Sequence, residues 1–160
     1  MEARAATADD VDEMMRLAIV MFESIGLDAS GRDWTDAAPT VLVDGIRRGL
    51  VGAFVVDDPT RPGRLAASAA VVVEQRLPTP HGPDGRIGYV QWVCTDPRFR
   101  RQGLGRAVMG AIITWTRDRG VTRVELHTSP DGRALYEDLG FRPTSPSYRL
   151  HQPAPLRSEP

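Results

Sequence analysis

Between Arg98 and Val108 the chain reads RFRRQGLGRAV, four arginines and two glycines within eleven residues. Four chemistries use such a segment. A dinucleotide fingerprint needs Gly-x-Gly-x-x-Gly, and here Gly103 and Gly105 are followed by Val108 where the third glycine belongs. A Walker phosphate loop needs a lysine, yet all twenty basic residues are arginine. Nucleic acid could be held by Arg98, Arg100, Arg101 and Arg106 through phosphate contacts. Only Phe99 interleaves them as a stacking aromatic, and an isoelectric point near 6.3 speaks against that reading. The fourth is a pyrophosphate cradle. Gly103 and Gly105 bare the backbone at a helix N-terminus, whose orphan N–H groups and dipole attract an anion. Arg100, Arg101 and Arg106 would add charge-assisted contacts. A phosphorylated cofactor suits this last reading.

The elements around the cradle follow from periodicity. Residues 3–7 read as a short first strand. Thr7 and Asp10 form a helix start signal, and Val11, Met14, Met15, Ala18 and Phe22 share one helical face, with Gly26 as the stop. A second helix is expected over about 36–48, with Pro39 in its first regular turn and Gly49 at its C-terminal cap. LVGAFVV (50–56), LAASAAVVVEQ (65–75) and RIGYVQWVCT (86–95) read as strands. The segments between them, DDPTRPG and RLPTPHGPDG, are too rich in proline and glycine for regular structure. Leu104, Val108, Ala111, Ile112 and Trp115 then recur at helical spacing up to Gly120. TRVELHT (122–128) alternates as a strand. SPDGRALYEDLG is a short helix with Ser129 as N-cap and Pro130 at its first position. FRPTSPSYRL adds a last strand or hairpin. The order is β-α-α-β-β-β-α-β-α-β, hairpin strands first and a crossover later, an α/β (α+β) fold.

With 160 residues the chain is expected to form one domain over 1–150, with 151–160 as a flexible tail. No run approaches the roughly 18 apolar residues of a membrane span, and MEARAATADDVDEMM lacks the layout of a secretory signal. A cytoplasmic protein with no membrane partner is the expectation. The single cysteine, Cys94, excludes an intrachain disulfide and argues against a metal site, and the missing lysine excludes Schiff-base chemistry. Charge is segregated. Residues 1–60 carry twelve acids and five arginines (net −7), and residues 61–160 carry nine acids and fifteen arginines (net +6). One region then suits an anionic ligand and another a cationic one, unless both are simply solvated faces.

Arg100-Arg-Gln-Gly103-Leu-Gly105 fits the Arg/Gln-x-x-Gly-x-Gly/Ala acyl-CoA motif of the GNAT superfamily of N-acetyltransferases. VQWVCTDPRF before it resembles the family's strand and turn, and LHTSPDGRALYEDLGFRP after it is similar to the strand–helix segment ending in Tyr-x-x-x-Gly-Phe, here Tyr136 to Phe141. The motif-level resemblance covers about residues 86–143, and element order agrees over the whole chain. It implies a mixed, mostly antiparallel central sheet of six to seven strands with about four helices. It also implies acetyl-CoA as acyl donor, an amine acceptor and, as in many relatives, a homodimer.

By the same resemblance, strands 86–95 and 122–128 splay apart around the pantetheine arm. The backbone of Val93, Cys94 and Thr95 would pair with it. Gln102, Gly103, Leu104, Gly105, Arg106 and Ala107 would hold the pyrophosphate through backbone donors, with Arg100 and Arg101 nearby. Ser129 caps its helix and is placed to touch the cofactor. Tyr136 matches the family's thiolate-protonating tyrosine, the alternative being a residue packed on its helix. The family's frequent glutamate on strand 86–95 has no clear counterpart, Gln91 being the strand's only amide. The base candidates are His127, beside the expected cleft, and Glu74, at the end of an earlier strand, although a lone histidine on a strand is more often structural. Trp34, in the acidic segment with Asp28, Asp33 and Asp36, is a candidate to line the acceptor site for a cationic amine, whereas Trp92 and Trp115 are expected in the core. Two other classes stay open: a catalytically degenerate acyl-CoA-binding or sensory module, and a nucleic-acid-binding domain.

Overall fold

At the centre lies a strand of small residues. β3 (Leu65–Gln75) is buried without interruption from Leu65 to Val71. Alanine and serine dominate that stretch, so helices can approach both of its faces. The structure, a computed structural model, describes residues 1–144 and 147–152. β2 (Val51–Asp57) and β4 (Arg86–Thr95) flank β3 antiparallel, β1 (Arg4–Ala5) extends the β2 edge, and β5 (Val124–Glu125) lies parallel to β4. The spatial order is β1-β2-β3-β4-β5.

Helices cover both faces of this sheet. On one side α1 (Val11–Ser24) buries Met14, Leu17 and Ala18 completely, and α2 (Arg32–Arg47) adds Leu42, against Val55, Ala70 and Cys94. On the other, α3 (Leu104–Asp118) sets Val108, Met109 and Ile112 against Val56, Ala69, Val71 and Val90. The short α4 (Arg133–Asp138) adds Tyr136 to that side. Each fully buried Met, Leu, Ile or Val among them contributes about 1.5–3 kcal/mol by leaving water. The Thr7–Asp10 start signal is realised: the Thr7 amide donates to Asp10 Oδ2 at 2.7 Å, and Arg4 clamps the same carboxylate with two bonds of 2.8 Å.

The fold class is as the pattern implied, with five strands among the described residues rather than six to seven. The difference lies after α4. Residues 141–144 and 147–150 are not strand, while 145 and 146, and 153–160 of the expected tail, lie outside the described residues. β5 is also only two residues long, against the seven that alternate in the sequence. α2 begins four residues earlier than expected and carries Pro39 in its interior. Trp115 packs as a core residue should: a Cβ on Gly52 would meet its ring at 2.7 Å, so only glycine lets the indole lie on β2.

Candidate active site

β4 and β5 are paired only at Gly88↔Val124 and Tyr89↔Glu125. Beyond that point β4 runs on to Thr95 with β3 alone as partner, so its other edge has no strand opposite it among the described residues. A wedge opens between the two strands. Val93, Cys94 and Thr95 lie along the open edge, where an extended chain could add main-chain hydrogen bonds.

A β-bulge sits at the same place. Trp92 and Val93 together oppose the single residue Ala69, and Trp92 takes a φ of +54°. That conformation costs an indole-bearing residue about 1–3 kcal/mol. Its ring is held edge-on to Trp34 at 6.5 Å, and Trp34 in turn meets Phe22 at 5.4 Å, contacts of about 0.5–1.5 kcal/mol each. The bulge lets Trp92 and Cys94 both serve the α1–α2 side while Val93 faces α3. Gln91, just before it, is exposed in mid-strand, so the sheet is uncovered there on the α1–α2 side.

The glycine motif follows as a loop and a helix start. Arg101 and Gly103 both take left-handed backbone, φ +63° and +81°, the kind of local conformation from which N–H nests for anions are built. Among the described residues, no backbone acceptor is assigned to the amides from Gln102 to Arg106, and the first turn closes only with Ala107 donating to Gly103 at 3.1 Å. The two glycines serve different ends. A Cβ on Gly103 would meet nothing within 4 Å, so its glycine answers to φ. A Cβ on Gly105 would lie 3.1 Å from Leu135 Cδ2, so its glycine lets α4 approach.

The four arginines divide into two pairs. Arg98 donates to Asp58 Oδ2 at 2.8 Å and to Asp96 Oδ1 at 3.1 Å, and its guanidinium lies 4.8 Å from the Phe99 ring centre. Asp96 also accepts from Arg16, which joins Glu13, and Glu13 accepts from the Leu65 amide and from Arg64. This network ties the 97–103 loop to α1 and to the β2–β3 turn. Arg106 pairs with Asp138 of α4 at 3.0 Å, both side chains being exposed. Arg100 and Arg101 are exposed, and no ion pair engages them among the described residues. The charge free for a ligand is theirs, while Arg106 offers its amide.

Tyr136 lies half-buried on α4, its ring edge-on to Phe141 at 5.9 Å and against Gly132, where a Cβ would sit 3.0 Å from its Cε2. Burial, helped by the nearby Cys94 thiol, pushes its hydroxyl pKa up to about 12. Burial likewise raises the Cys94 thiol to about 12, and Cys94 Sγ donates to the Trp92 carbonyl at 3.2 Å. Neither group ionises near neutrality. Ser129 occupies the N-cap position of the turn before α4, but its hydroxyl makes no capping bond.

His127 is exposed beyond β5, on the same face as Tyr89 and Glu125. Its Nδ1 is hydrogen-bonded to the Tyr89 hydroxyl and its Nε2 lies 3.4 Å from Ser147 Oγ. Glu74 shares this face but gives its carboxylate to Arg76 Nε and Nη2, at 3.1 and 3.0 Å. The wedge thus has Tyr136 on its α3 side, and Cys94 with Tyr89 and His127 on the α1–α2 side. Sequence reasoning missed Tyr89, whose only signal was its place two residues before Gln91. A concavity of about 620 Å³ lies elsewhere, between the N-terminus and the outer face of α3, and shares only Ala107 with these residues. Among the described residues no cluster fit for a metal and no helix long and apolar enough to cross a membrane is present.

Comparison with known proteins fits this geometry. A glucosamine 6-phosphate N-acetyltransferase of Trypanosoma brucei brucei is 31% identical over 105 residues, covering 65% of this chain and 67% of that one. Other curated relatives are matched over about half of their length or less. A predicted acetyltransferase of Clostridium acetobutylicum, solved with acetyl-CoA, superposes with a TM-score of 0.84 at 19% identity, covering 94% of this chain and 95% of that one, which speaks for the fold. A GCN5-related N-acetyltransferase of Ralstonia eutropha superposes with a TM-score of 0.82 at 26% identity, over 94% and 97% of the two chains. The family described as "Acetyltransferase (GNAT) family" matches residues 12–141, and the chain belongs to it.

Proposed function

We propose that residues 1–150 form one N-acetyltransferase domain that moves an acetyl group from acetyl-CoA to a primary amine by direct attack in a ternary complex. The observation that carries this reading is the wedge beside β4 leading into the bare amides at the start of α3. The open edge at Val93, Cys94 and Thr95 suits the pantetheine amides. The amides of residues 102–107, with Arg100 and Arg101, suit the pyrophosphate, and the Ser129 hydroxyl is free to join them. Tyr136, protonated at neutral pH, is the acid for the departing thiolate. His127 is favoured over Glu74 as base, since Glu74 is committed to Arg76.

Two acceptor classes have support. Asp28, Asp33 and Asp36 near Trp34 favour a cationic amine. The relatives named glucosamine 6-phosphate N-acetyltransferases favour an amino-sugar phosphate. The test is coenzyme A release with a panel of glucosamine 6-phosphate, spermidine, kanamycin and a basic peptide, beside an acetyl-CoA thermal-shift measurement. Transfer to a panel amine supports the reading and names the class. A thermal shift with no transfer favours the acyl-CoA-binding module, and no shift at saturating acetyl-CoA rejects both. Nucleic-acid binding is disfavoured because Arg98 and Arg106 are already paired with Asp58 and Asp138.

A further inference from the structure

We infer that Tyr89 and His127 act as one proton relay for the acceptor, with the Tyr89 hydroxyl meeting the amine and the imidazole receiving the proton behind it. This rests on the acetyl-transfer reading above and supplies its unassigned deprotonation step. Three observations carry it. Tyr89 is the last β4 residue paired to β5, so its side chain stands where the wedge begins. It is paired with Val72 on β3, which packs with the α1–α2 core, and so it faces the side where Gln91 leaves the sheet uncovered. Its hydroxyl is hydrogen-bonded to His127 Nδ1, while Nε2 faces Ser147 Oγ at 3.4 Å. No other described side chain hydrogen-bonds the imidazole.

The neighbours set the direction of transfer. Glu74 of β3, Arg76 just beyond its end, Glu125 of β5 and Arg149 all act on Tyr89, with Arg123 bound to Glu125. Burial, joined by Glu74 and Glu125, outweighs Arg149 and Arg76 and raises the phenol above its ordinary value, so the phenol is a neutral donor to Nδ1. The neutral imidazole then carries its proton on Nε2, toward Ser147. As the amine nitrogen bonds to the thioester carbonyl carbon, its proton passes to Tyr89 Oη while the phenolic proton moves to Nδ1. The C–S bond breaks, Tyr136 protonates the thiolate, and the imidazolium returns its proton to solvent as Tyr136 regains one.

The chain has three histidines, His81, His127 and His151, so nitrogen-15 NMR can resolve the imidazole directly. At pH 8 the wild-type His127 is expected as the Nε2–H tautomer with a hydrogen-bonded Nδ1, and Tyr89→Phe should remove that preference. With the amine panel above, Tyr89→Phe and His127→Gln should each lower kcat by about a hundredfold or more and leave KM for acetyl-CoA unchanged, within the ~10²–10⁴ range of proton-transfer catalysis. The double variant should be no slower than the worse single, as for residues acting as a unit. An Nδ1–H tautomer in the wild type, or wild-type turnover by Tyr89→Phe, overturns the relay and leaves acetyl transfer standing. A wild type that binds acetyl-CoA and acetylates nothing in the panel overturns the acetyl-transfer reading, and the relay falls with it.

Discussion

Leu135 of α4 lies so close to α3 that a Cβ on Gly105 would come within 3.1 Å of its Cδ2. The next residue on α4 is Tyr136, so the contact that seats this short helix also sets where the phenol stands. Gly105→Ala asks only that the tip of a flexible side chain shift by a few tenths of an ångström, and alanine is the better helix former by about 1 kcal/mol. Its melting temperature should be close to that of the wild type. Gly105→Val cannot be absorbed in that way, and overpacking of this kind costs about 1–3 kcal/mol. Thermal unfolding should show that loss, and kcat should fall with it as α4 is displaced.

Arg100 and Arg101 are the two arginines of the glycine segment left for a ligand. Arg100→Glu with Arg101→Glu should weaken acetyl-CoA binding at least tenfold and leave the melting temperature of the free protein within about 1 °C, as expected of surface changes remote from packing. Calorimetric titration and thermal unfolding measure the two effects separately. Asp58→Asn should do the reverse, lowering stability first. The Asp58 side chain is 0% exposed and bound by Arg98 and Arg61, so its loss frees the loop from below.

The same network makes stability depend on acid. Burial opposes ionisation of Asp58, Asp96 and Glu13, but their hydrogen bonds and arginine partners outweigh it and hold all three carboxyls below their ordinary range. In the unfolded chain they bind protons near pH 4. The unfolded state therefore takes up more protons than the folded one as pH falls below about 5, and stability declines across that window. Urea titrations between pH 3 and 7 should show full stability above about pH 5 and a falling midpoint below it. In Asp58→Asn the decline should be shallower and start from a lower plateau.

How far this was readable beforehand depended on how local each signal was. β3 and β4 begin and end where the sequence patterns placed them, because their turns are marked by proline and glycine. The α3 start was legible through Gly103 and Gly105, yet the same arginines read alike on paper. Only tertiary structure shows Arg98 turned onto Asp58, forty residues away, and Arg106 onto Asp138. The alternation of TRVELHT promised a long β5, but the wedge ends its pairing after two residues. Tyr89 was invisible as a candidate for the same reason: nothing in IGYVQWVCT says that His127, thirty-eight positions on, will lie against its hydroxyl.

Tyr136 offers a sharper kinetic test. With its hydroxyl pushed up to about 12, it holds its proton through the whole working range of an enzyme. Its own ionisation should put no alkaline limb on kcat below about pH 10, where an unperturbed phenol would begin to lose its proton. Tyr136→Phe removes the donor but keeps the ring on Phe141 and Gly132. Turnover should fall about 10–100-fold with KM for acetyl-CoA nearly unchanged, as for an interaction made only in the transition state. Equal turnover would assign the residue to packing alone.

Cys94 decides between direct transfer and an acyl-enzyme. It sits beside the wedge and is the chain's only thiol, so an acetyl-cysteine intermediate would have to form there. Yet it is buried, donates to the Trp92 carbonyl and has its pKa raised to about 12, which leaves only about one thiolate in ten thousand at pH 8. A nucleophile needs a neighbour that lowers its pKa, and here the surroundings raise it. Cys94→Ala should therefore keep kcat within about threefold of the wild type, with a modest loss of stability for the small void it leaves. Intact-protein mass spectrometry after mixing with acetyl-CoA should show no added acetyl group. Initial-rate plots against both substrates should intersect, as a ternary complex requires, and parallel lines would instead point to a covalent intermediate.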